Sequence, residues 1–117
     1  MNEHYALGQS NRFDTRRVER FRESLRVERA DFQSRLVEAE TAIGVSTRGL
    51  TDDAEVRSDL DVAVALAAAA RRAISEISEA LGRLDSGTFG RCAGCGKPIP
   101  IERLEAWPRA RFCVRCE

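Results

Sequence analysis

The 117-residue sequence lacks several features, and each absence excludes a class of protein. No stretch approaches the roughly 18 consecutive apolar residues of a membrane-spanning helix. The first residues also lack the basic region and apolar run of a secretory signal. We therefore expect a cytoplasmic protein with no membrane partner. The formal net charge is zero, so no overall field draws the chain towards nucleic acid or an anionic surface.

Aromatic and histidine side chains are also scarce. Aromatic residues make up 6% of the sequence, whereas 32% of residues are charged, a composition that favours long solvated helices over a thick globular core. The single histidine, His4, lies in the polar stretch 1–12, which we interpret as a flexible tail. No pairing of a nucleophile with a base is visible, so we expect no enzymatic activity.

The four cysteines form the strongest pattern in the chain. Two residues separate Cys92 from Cys95 and Cys113 from Cys116, and a spacer of 17 residues joins the two pairs. This spacing is typical of a zinc site with four thiolate ligands, and Gly96 lets the backbone turn back close to a metal. Four thiolates close the coordination shell, so the sequence predicts one structural Zn²⁺ ion and no open catalytic position.

Other uses of four cysteines fit the sequence less well. Two disulfides need an oxidising compartment, for which the sequence provides no secretory signal. A thioredoxin-like redox pair needs a strand–helix–strand pattern around one C-x-x-C, and four free buried thiols need no regular pairing. A redox role is the main alternative to zinc.

Upstream of the cysteines, apolar residues recur at helical spacing in two long segments. The first runs from Asp14, a predicted N-cap, to about Ile43, and Gly44 is expected to end it. The second runs from about Asp53 to Asp85. The predicted apolar stripes consist of Val18, Phe21, Leu25, Phe32, Leu36, Ala39 and Ile43, and of Leu60, Val64, Ala67, Ile74, Ile77, Leu81 and Leu84. Two such stripes joined by a short turn predict an antiparallel coiled-coil hairpin.

The predicted fold is therefore mainly α, with a long helical hairpin followed by a small module. The antiparallel hairpin covers residues 13–86, with its tip near residues 44–54, and the four-cysteine zinc-finger module covers residues 87–117. Prolines in the module leave room for at most a short helix over residues 101–106. The module's small apolar core is expected to contain Ile101, Leu104, Trp107 and Phe112.

Three segments of the C-terminal third resemble a known family. Residues 84–99 read LDSGTFGRCAGCGKPI, residues 102–108 read ERLEAWP, and residues 113–116 read CVRC. Their order and spacing are similar to the signature of the DksA/TraR zinc-finger family, whose architecture also contains a helical hairpin. The resemblance implies a bacterial transcription regulator that binds RNA polymerase directly. It further implies a monomer that inserts its coiled-coil tip into the secondary channel and modulates initiation without sequence-specific DNA binding.

The resemblance also implies residues at the tip of the hairpin. The family's tip carries the pattern Asp-x-x-Asp-x-Ala. Counted back from Cys92 without gaps, its second half falls on Asp52, Asp53 and Ala54, the implied polymerase-contacting residues. Gly49 replaces the first aspartate of the pattern. Thr51 or Asp52 is also predicted to cap the second helix, and at Asp52 capping is compatible with contacting the polymerase.

The sequence leaves one other function and one mode of regulation open. The alternative function is a zinc-stabilised coiled-coil adaptor that binds another protein, or nucleic acid, through its basic zinc-finger module. Ala69, Glu76 and Glu117 stand where family members responsive to guanosine tetraphosphate tend to have basic residues. The resemblance therefore does not imply a response to that nucleotide.

Overall fold

The computed structural model describes residues 13–48 and 54–116, and the expected tail at residues 1–12 lies outside this part of the chain. Its helices are α1 (Thr15–Arg48), α2 (Ala54–Ser86) and the short α3 (Ile101–Ala106). The prediction of a mainly α fold with two long helices is confirmed. None of these helices combines the length and the apolar character that crossing a membrane requires.

Helix α1 begins as the sequence predicts but ends later. Asp14 Oδ1 accepts a hydrogen bond of 2.8 Å from the Arg17 amide, so Asp14 is the N-cap. The prediction that Gly44 ends the helix is wrong, because α1 continues to Arg48. A glycine inside a helix costs only about 1 kcal/mol relative to alanine, and the helix tolerates this cost. Thr47 Oγ1 also donates to the Gly44 carbonyl at 3.1 Å in the last turn.

Helix α2 follows its predicted bounds to within one residue and stops at a glycine. Gly87 has a φ of 80°, a left-handed conformation that glycine adopts without strain. The amides of Thr88 and Phe89 both donate to the Arg83 carbonyl, at 2.9 and 3.2 Å. These bonds close the last turn, and the chain then enters the cysteine-containing loop.

The described chain forms two compact units, each containing part of α1 and part of α2. The first, here called the cysteine unit, comprises residues 13–27 and 76–116. The second, the helix-pair unit, comprises residues 28–48 and 54–75. The tip assignment to residues 44–54 stays a prediction, because part of that range is not described.

Ion pairs join α1 to α2 within both units. In the cysteine unit, Arg22 Nη1 lies 2.7 Å from Asp85 Oδ1. In the helix-pair unit, Arg71 Nη2 lies 3.0 Å from Glu40 Oε2. From residue 22 to residue 40 of α1, the partner in α2 moves back from residue 85 to residue 71. The two helices therefore pair antiparallel, and the predicted hairpin is confirmed.

The core of the helix-pair unit is made of small side chains. Its buried side chains are Ala39, Ala63, Ala67, Ala70 and Ala73. The prediction that Val64 belongs to the stripe is wrong, since 50% of this residue is exposed. Alanine permits two helices to approach closely, and the larger valine lies beside the contact instead of in it.

The core of the cysteine unit is built from larger side chains. Leu25, Ile77, Phe89, Ile99 and Leu104 are fully buried. They come from α1, α2, the cysteine loop and α3, so this core joins all three helices to the loop. Burial of such side chains contributes about 1.5–3 kcal/mol each.

The predicted core of the zinc-finger module is only partly right. Leu104 is fully buried, whereas Ile101 and Phe112 are half-buried. Trp107 is 41% exposed, so its assignment to the core is wrong. The fully buried aromatic residue is instead Phe89, whose ring centroid lies 5.0 Å from that of Phe21 and 5.7 Å from that of Phe13.

Candidate metal centre

The fold gathers the four cysteines into one cluster. Cys92 and Cys95 lie in the loop after α2, and Cys113 and Cys116 lie in the last described turn. Their Sγ atoms all lie within 4.8 Å of one another. This arrangement is a cluster able to bind one metal ion, as the spacing of the cysteines predicts.

Backbone hydrogen bonds shape the first cysteine turn. The Cys92 amide donates to the Lys97 carbonyl and the Gly96 amide donates to the Cys92 carbonyl, both at 2.9 Å. Gly96 has a φ of 75°, a left-handed conformation that favours glycine. An isolated antiparallel bridge between Arg91 and Pro98 closes the base of the turn. The predicted role of Gly96 is therefore confirmed.

The second cysteine turn lies directly against the first. The Ala93 amide donates to the Arg111 carbonyl at 2.7 Å, which ties the two turns together. A Cβ atom at Gly94 would lie only 3.1 Å from both Cβ and Sγ of Cys116. A side chain at position 94 would therefore require Cys116 to shift by a few tenths of an ångström, and glycine avoids this crowding between the two turns.

The environment of the cluster favours a thiolate at Cys92. This side chain is the most buried of the four, at 3% exposure. Its sulfur accepts hydrogen bonds of 3.3 Å from the amides of Cys113 and Gly94. The bond from the Cys113 amide is the main reason that the pKa of Cys92 is lowered to about 6.

The thiols of the cluster change one another's pKa values. The pKa of Cys116 is raised to about 12, because its protonated thiol donates hydrogen bonds to the sulfurs of Cys113 and Cys92. Four thiolates at these distances repel one another, so a bound cation is needed to keep all four deprotonated together.

The donor set and its spacing fit Zn²⁺. A Zn–S bond of 2.3 Å in tetrahedral geometry places the sulfurs roughly 3.8 Å apart. The Sγ atoms of Cys95 and Cys113 lie 3.8 Å apart. Four sulfur donors occupy every position of a tetrahedral shell, so an ion held here would have a structural role.

The predicted tip residues belong to a different part of the chain. Asp52 and Asp53 lie outside the described residues. Ala54 is the first residue of α2 and is exposed. It belongs to the helix-pair unit, whereas all four cysteines belong to the cysteine unit.

The helix-pair unit also contains an apolar groove of about 380 Å³ between its helices. Alanines 39, 63 and 70 lie along it, and Phe32, Val62 and Leu66 are its larger apolar side chains. Its charged residues are Arg35, Glu38 and Asp59. The described lining contains no histidine, cysteine or serine, and Glu38 and Asp59 supply its carboxylates.

Sequence reasoning missed two contributors to the centre. Phe89 supports the cysteine loop as a fully buried side chain, and its position between a helix-ending glycine and Gly90 was an available signal. Arg103 Nε donates to the Phe112 carbonyl at 3.1 Å, next to Cys113. No sequence pattern marks this second contact, because it joins a side chain to the backbone of a different segment.

Comparisons with known proteins identify the module. Residues 87–117 match the family model described as a prokaryotic dksA/traR C4-type zinc finger. A segment of 47 residues is 43% identical to the RNA polymerase-binding transcription factor DksA of Haemophilus influenzae and covers 32% of it. The same share of this chain, 40%, is 43% identical to general stress protein 16O of Bacillus subtilis and covers 29% of it. The chain thus spans about a third of the length of these curated relatives.

The likeness extends beyond the zinc finger at the level of fold. The structure of transcription factor DksA2 from Pseudomonas aeruginosa matches with a TM-score of 0.78 and 26% sequence identity. That match covers 98% of this chain and 91% of the other. The resemblance to the DksA/TraR family is therefore confirmed, by sequence at the C4-type zinc finger and by fold across nearly the whole chain.

Proposed function

We propose that this protein is a bacterial transcription regulator that binds RNA polymerase directly and modulates initiation. The observation that carries the proposal is the fold match to transcription factor DksA2 over 98% of the chain. The name of the Haemophilus relative, an RNA polymerase-binding transcription factor, supports the same partner. In this proposal the hairpin tip enters the secondary channel of the polymerase.

The helix-pair unit has properties that suit entry into a narrow channel. Its buried seam consists of alanines such as Ala63, Ala67 and Ala70, and small residues allow an interaxial distance near the lower end of about 8–10 Å. A two-helix element of this kind is thin, and its exposed surface mixes charged side chains such as Arg35 with apolar ones such as Val37 and Leu66. We infer that the alanine seam keeps the cross-section small enough for insertion.

The start of α2 supplies negative charge to the proposed tip. Glu55, Asp59 and Asp61 are exposed there, and Arg57 is the nearby cation. Together with Asp52 and Asp53 in the sequence, they form an acidic stretch. Negative charge near a magnesium-containing catalytic centre changes the local field, which is a physical route to regulation. Asp52 is the proposed working residue, and Ala54 keeps the tip narrow.

The cysteine unit has a supporting role in the proposal. We infer that Cys92, Cys95, Cys113 and Cys116 hold one structural Zn²⁺ ion, which fixes the loop against α1 and α2. Four thiolates would leave no position on the metal for a substrate or a water. The protein then acts as a monomeric, non-enzymatic cytoplasmic regulator without sequence-specific DNA contacts.

The partner is tested with purified bacterial core RNA polymerase and the zinc-loaded chain. We expect a complex with the wild-type protein and with Asp52→Asn and Ala54→Thr, because neither change alters the described core. At saturating protein, both variants should lose most of the effect on initiation in a purified transcription assay. Asp52→Asn retains a side-chain oxygen for capping, so its loss of effect would report the charge and not the fold.

Two outcomes would redirect the proposal. Absence of a complex with the wild-type protein would favour the adaptor function, with a different protein or a nucleic acid as the partner. Variants that bind and regulate like the wild type would leave polymerase binding intact but refute the tip assignment. Asp59 and Asp61 would then be the next residues to test.

A further inference from the structure

One peptide unit connects α3 to the cysteine cluster. Arg103 Nε, on α3, donates a hydrogen bond of 3.1 Å to the Phe112 carbonyl oxygen. The N–H of the same peptide unit belongs to Cys113 and donates at 3.3 Å to Cys92 Sγ. The peptide bonds of the described residues are trans, so the C=O and N–H of this planar unit point in opposite directions. A group that holds the carbonyl therefore also aims the N–H.

We propose that Arg103 is a positioning residue for the metal centre, which fixes the Phe112–Cys113 peptide so that its N–H points at the Cys92 sulfur. The inference rests on the proposed role of the four cysteines as zinc ligands. In this role the Arg103 guanidinium acts on Cys92 through the peptide that lies between them.

Among the four cysteines, Cys92 depends most on hydrogen bonds from backbone amides. Cys92 is the most buried cysteine, at 3% exposure, so water contributes little to the solvation of its charge. Amide donors replace that water, and the Cys113 amide is one of them. A cation that binds the carbonyl end of a peptide polarises the N–H end, which strengthens its hydrogen bond.

The guanidinium group of Arg103 is itself held in place. Its residue is half-buried on the short helix α3, and its carbonyl accepts a hydrogen bond of 2.8 Å from the Trp107 amide. The guanidinium carbon lies 5.8 Å from the centroid of the Trp107 ring, within cation–π range. This contact gives the exposed Trp107 a role outside the core, as a cover for Arg103.

The alternative is that the hydrogen bond from Arg103 to the Phe112 carbonyl stabilises the fold without affecting the metal site. That possibility predicts a lower unfolding temperature for an Arg103 variant but an unchanged metal centre. Positioning predicts a change at the metal even where the fold persists. The experiment therefore needs readouts at the metal and at the Cys113 amide, in addition to stability.

The test uses the full chain loaded with zinc or with cadmium. The variants are Arg103→Gln, which removes the cation, Arg103→Lys, which keeps a charged donor, and the control Arg111→Gln. Arg111 carries the same charge in the same unit and stacks on Phe112 at 5.5 Å, but its guanidinium is not the donor to the Phe112 carbonyl. Measurements are zinc dissociation into a chromogenic chelator and the ¹¹³Cd coupling to the Cys113 amide proton by NMR.

We expect Arg103→Gln to weaken zinc binding about 10-fold or more, the usual effect of removing an outer-shell partner. The cadmium coupling to the Cys113 amide should fall while the Gly94 coupling remains. Arg103→Lys should recover part of both signals, and Arg111→Gln should match the wild type. An Arg103→Gln protein that folds and keeps wild-type zinc release and coupling would overturn the proposal. So would an equal loss in Arg111→Gln, since that result would indicate a general charge effect.

If Arg103→Gln does not fold, the Arg103→Lys variant tests the positioning role. Weaker zinc binding with a reduced Cys113 coupling in folded Arg103→Lys supports positioning, because lysine lacks the Nε geometry of arginine. Wild-type values for both measurements in that variant contradict it. Neither result depends on polymerase, so the outcome is independent of the proposed function in transcription.

Discussion

Arg22 and Asp85 are 63 residues apart in the chain, yet Nη1 of Arg22 lies 2.7 Å from Oδ1 of Asp85. The pairing joins the first turns of α1 to the last turn of α2. The hydrogen bond to Asp85 is the main reason that the pKa of Arg22 is raised. Arg22 is largely covered, with 19% of its side chain exposed, whereas Asp85 is 68% exposed. Solvent therefore screens the pair in part.

The first prediction concerns the energy of this pair. A double-mutant cycle with Arg22→Ala and Asp85→Ala should give a coupling of about 0.5–1 kcal/mol in urea unfolding, and the coupling should fall at high salt. The reference cycle uses Arg35 and Asp31, which are also 2.7 Å apart but lie one turn apart on α1 and are both exposed. That local pair should give about 0.3–0.5 kcal/mol. No measurable coupling between Arg22 and Asp85 at low salt would contradict this contact between the two helices.

The second prediction separates buried from exposed apolar positions of α2. Ile77 is fully buried, and Ile77→Ala should destabilise the protein by about 2–5 kcal/mol, because it leaves a cavity in the core. Val64 is 50% exposed, and Val64→Ala should change the free energy of unfolding by less than about 0.5 kcal/mol. A large effect at Val64 would show that the seam runs through that residue after all.

The third prediction compares two glycine-to-alanine changes. Gly90 has a φ of +85°, and a Cβ there would lie 2.7 Å from Cζ of Phe13. The conformation alone should make Gly90→Ala destabilising by about 1–3 kcal/mol. At Gly82, inside α2, a Cβ meets nothing within 4 Å, so Gly82→Ala should stabilise by about 0.5–1 kcal/mol. Thermal unfolding of both variants checks the opposite signs.

The fourth prediction concerns the metal. Protein purified without added metal should contain one zinc per chain, and chelation or Cys92→Ser should unfold the cysteine loop, because metal binding and folding are coupled. Acid should also release the ion, since protons compete for the thiolates. Metal analysis that found no zinc, together with mass spectrometry that found two disulfides, would contradict the assignment.

The sequence predicts the metal cluster well because spacing along the chain determines it. Two residues between cysteines set the tight turns, and the glycine after Cys95 provides the left-handed conformation that the first turn adopts. The helices follow from apolar periodicity in the same way. Local patterns of this kind can be recognised in the sequence without knowing which residues are in contact in the folded protein.

The errors arise where packing decides between local alternatives. Apolar periodicity predicts Val64 as a core residue and apolar character predicts Trp107, whereas the structure buries Phe89 and alanines such as Ala63. The link from Arg103 to the Phe112 carbonyl depends on how α3 lies against the second cysteine turn. No spacing rule encodes that contact, so only the folded arrangement reveals it.

The central claim is that the hairpin tip enters the secondary channel of RNA polymerase, and site-specific photocrosslinking tests it most directly. A photoreactive amino acid replaces Arg57, an exposed residue near the start of α2, and in a second protein it replaces the exposed Glu102 on α3. With purified core polymerase, the position-57 protein should crosslink to residues that line the channel, and excess unmodified protein should compete. The position-102 protein should not reach those residues. Crosslinks from position 57 that fall only outside the channel, or none at saturating protein, would contradict the account.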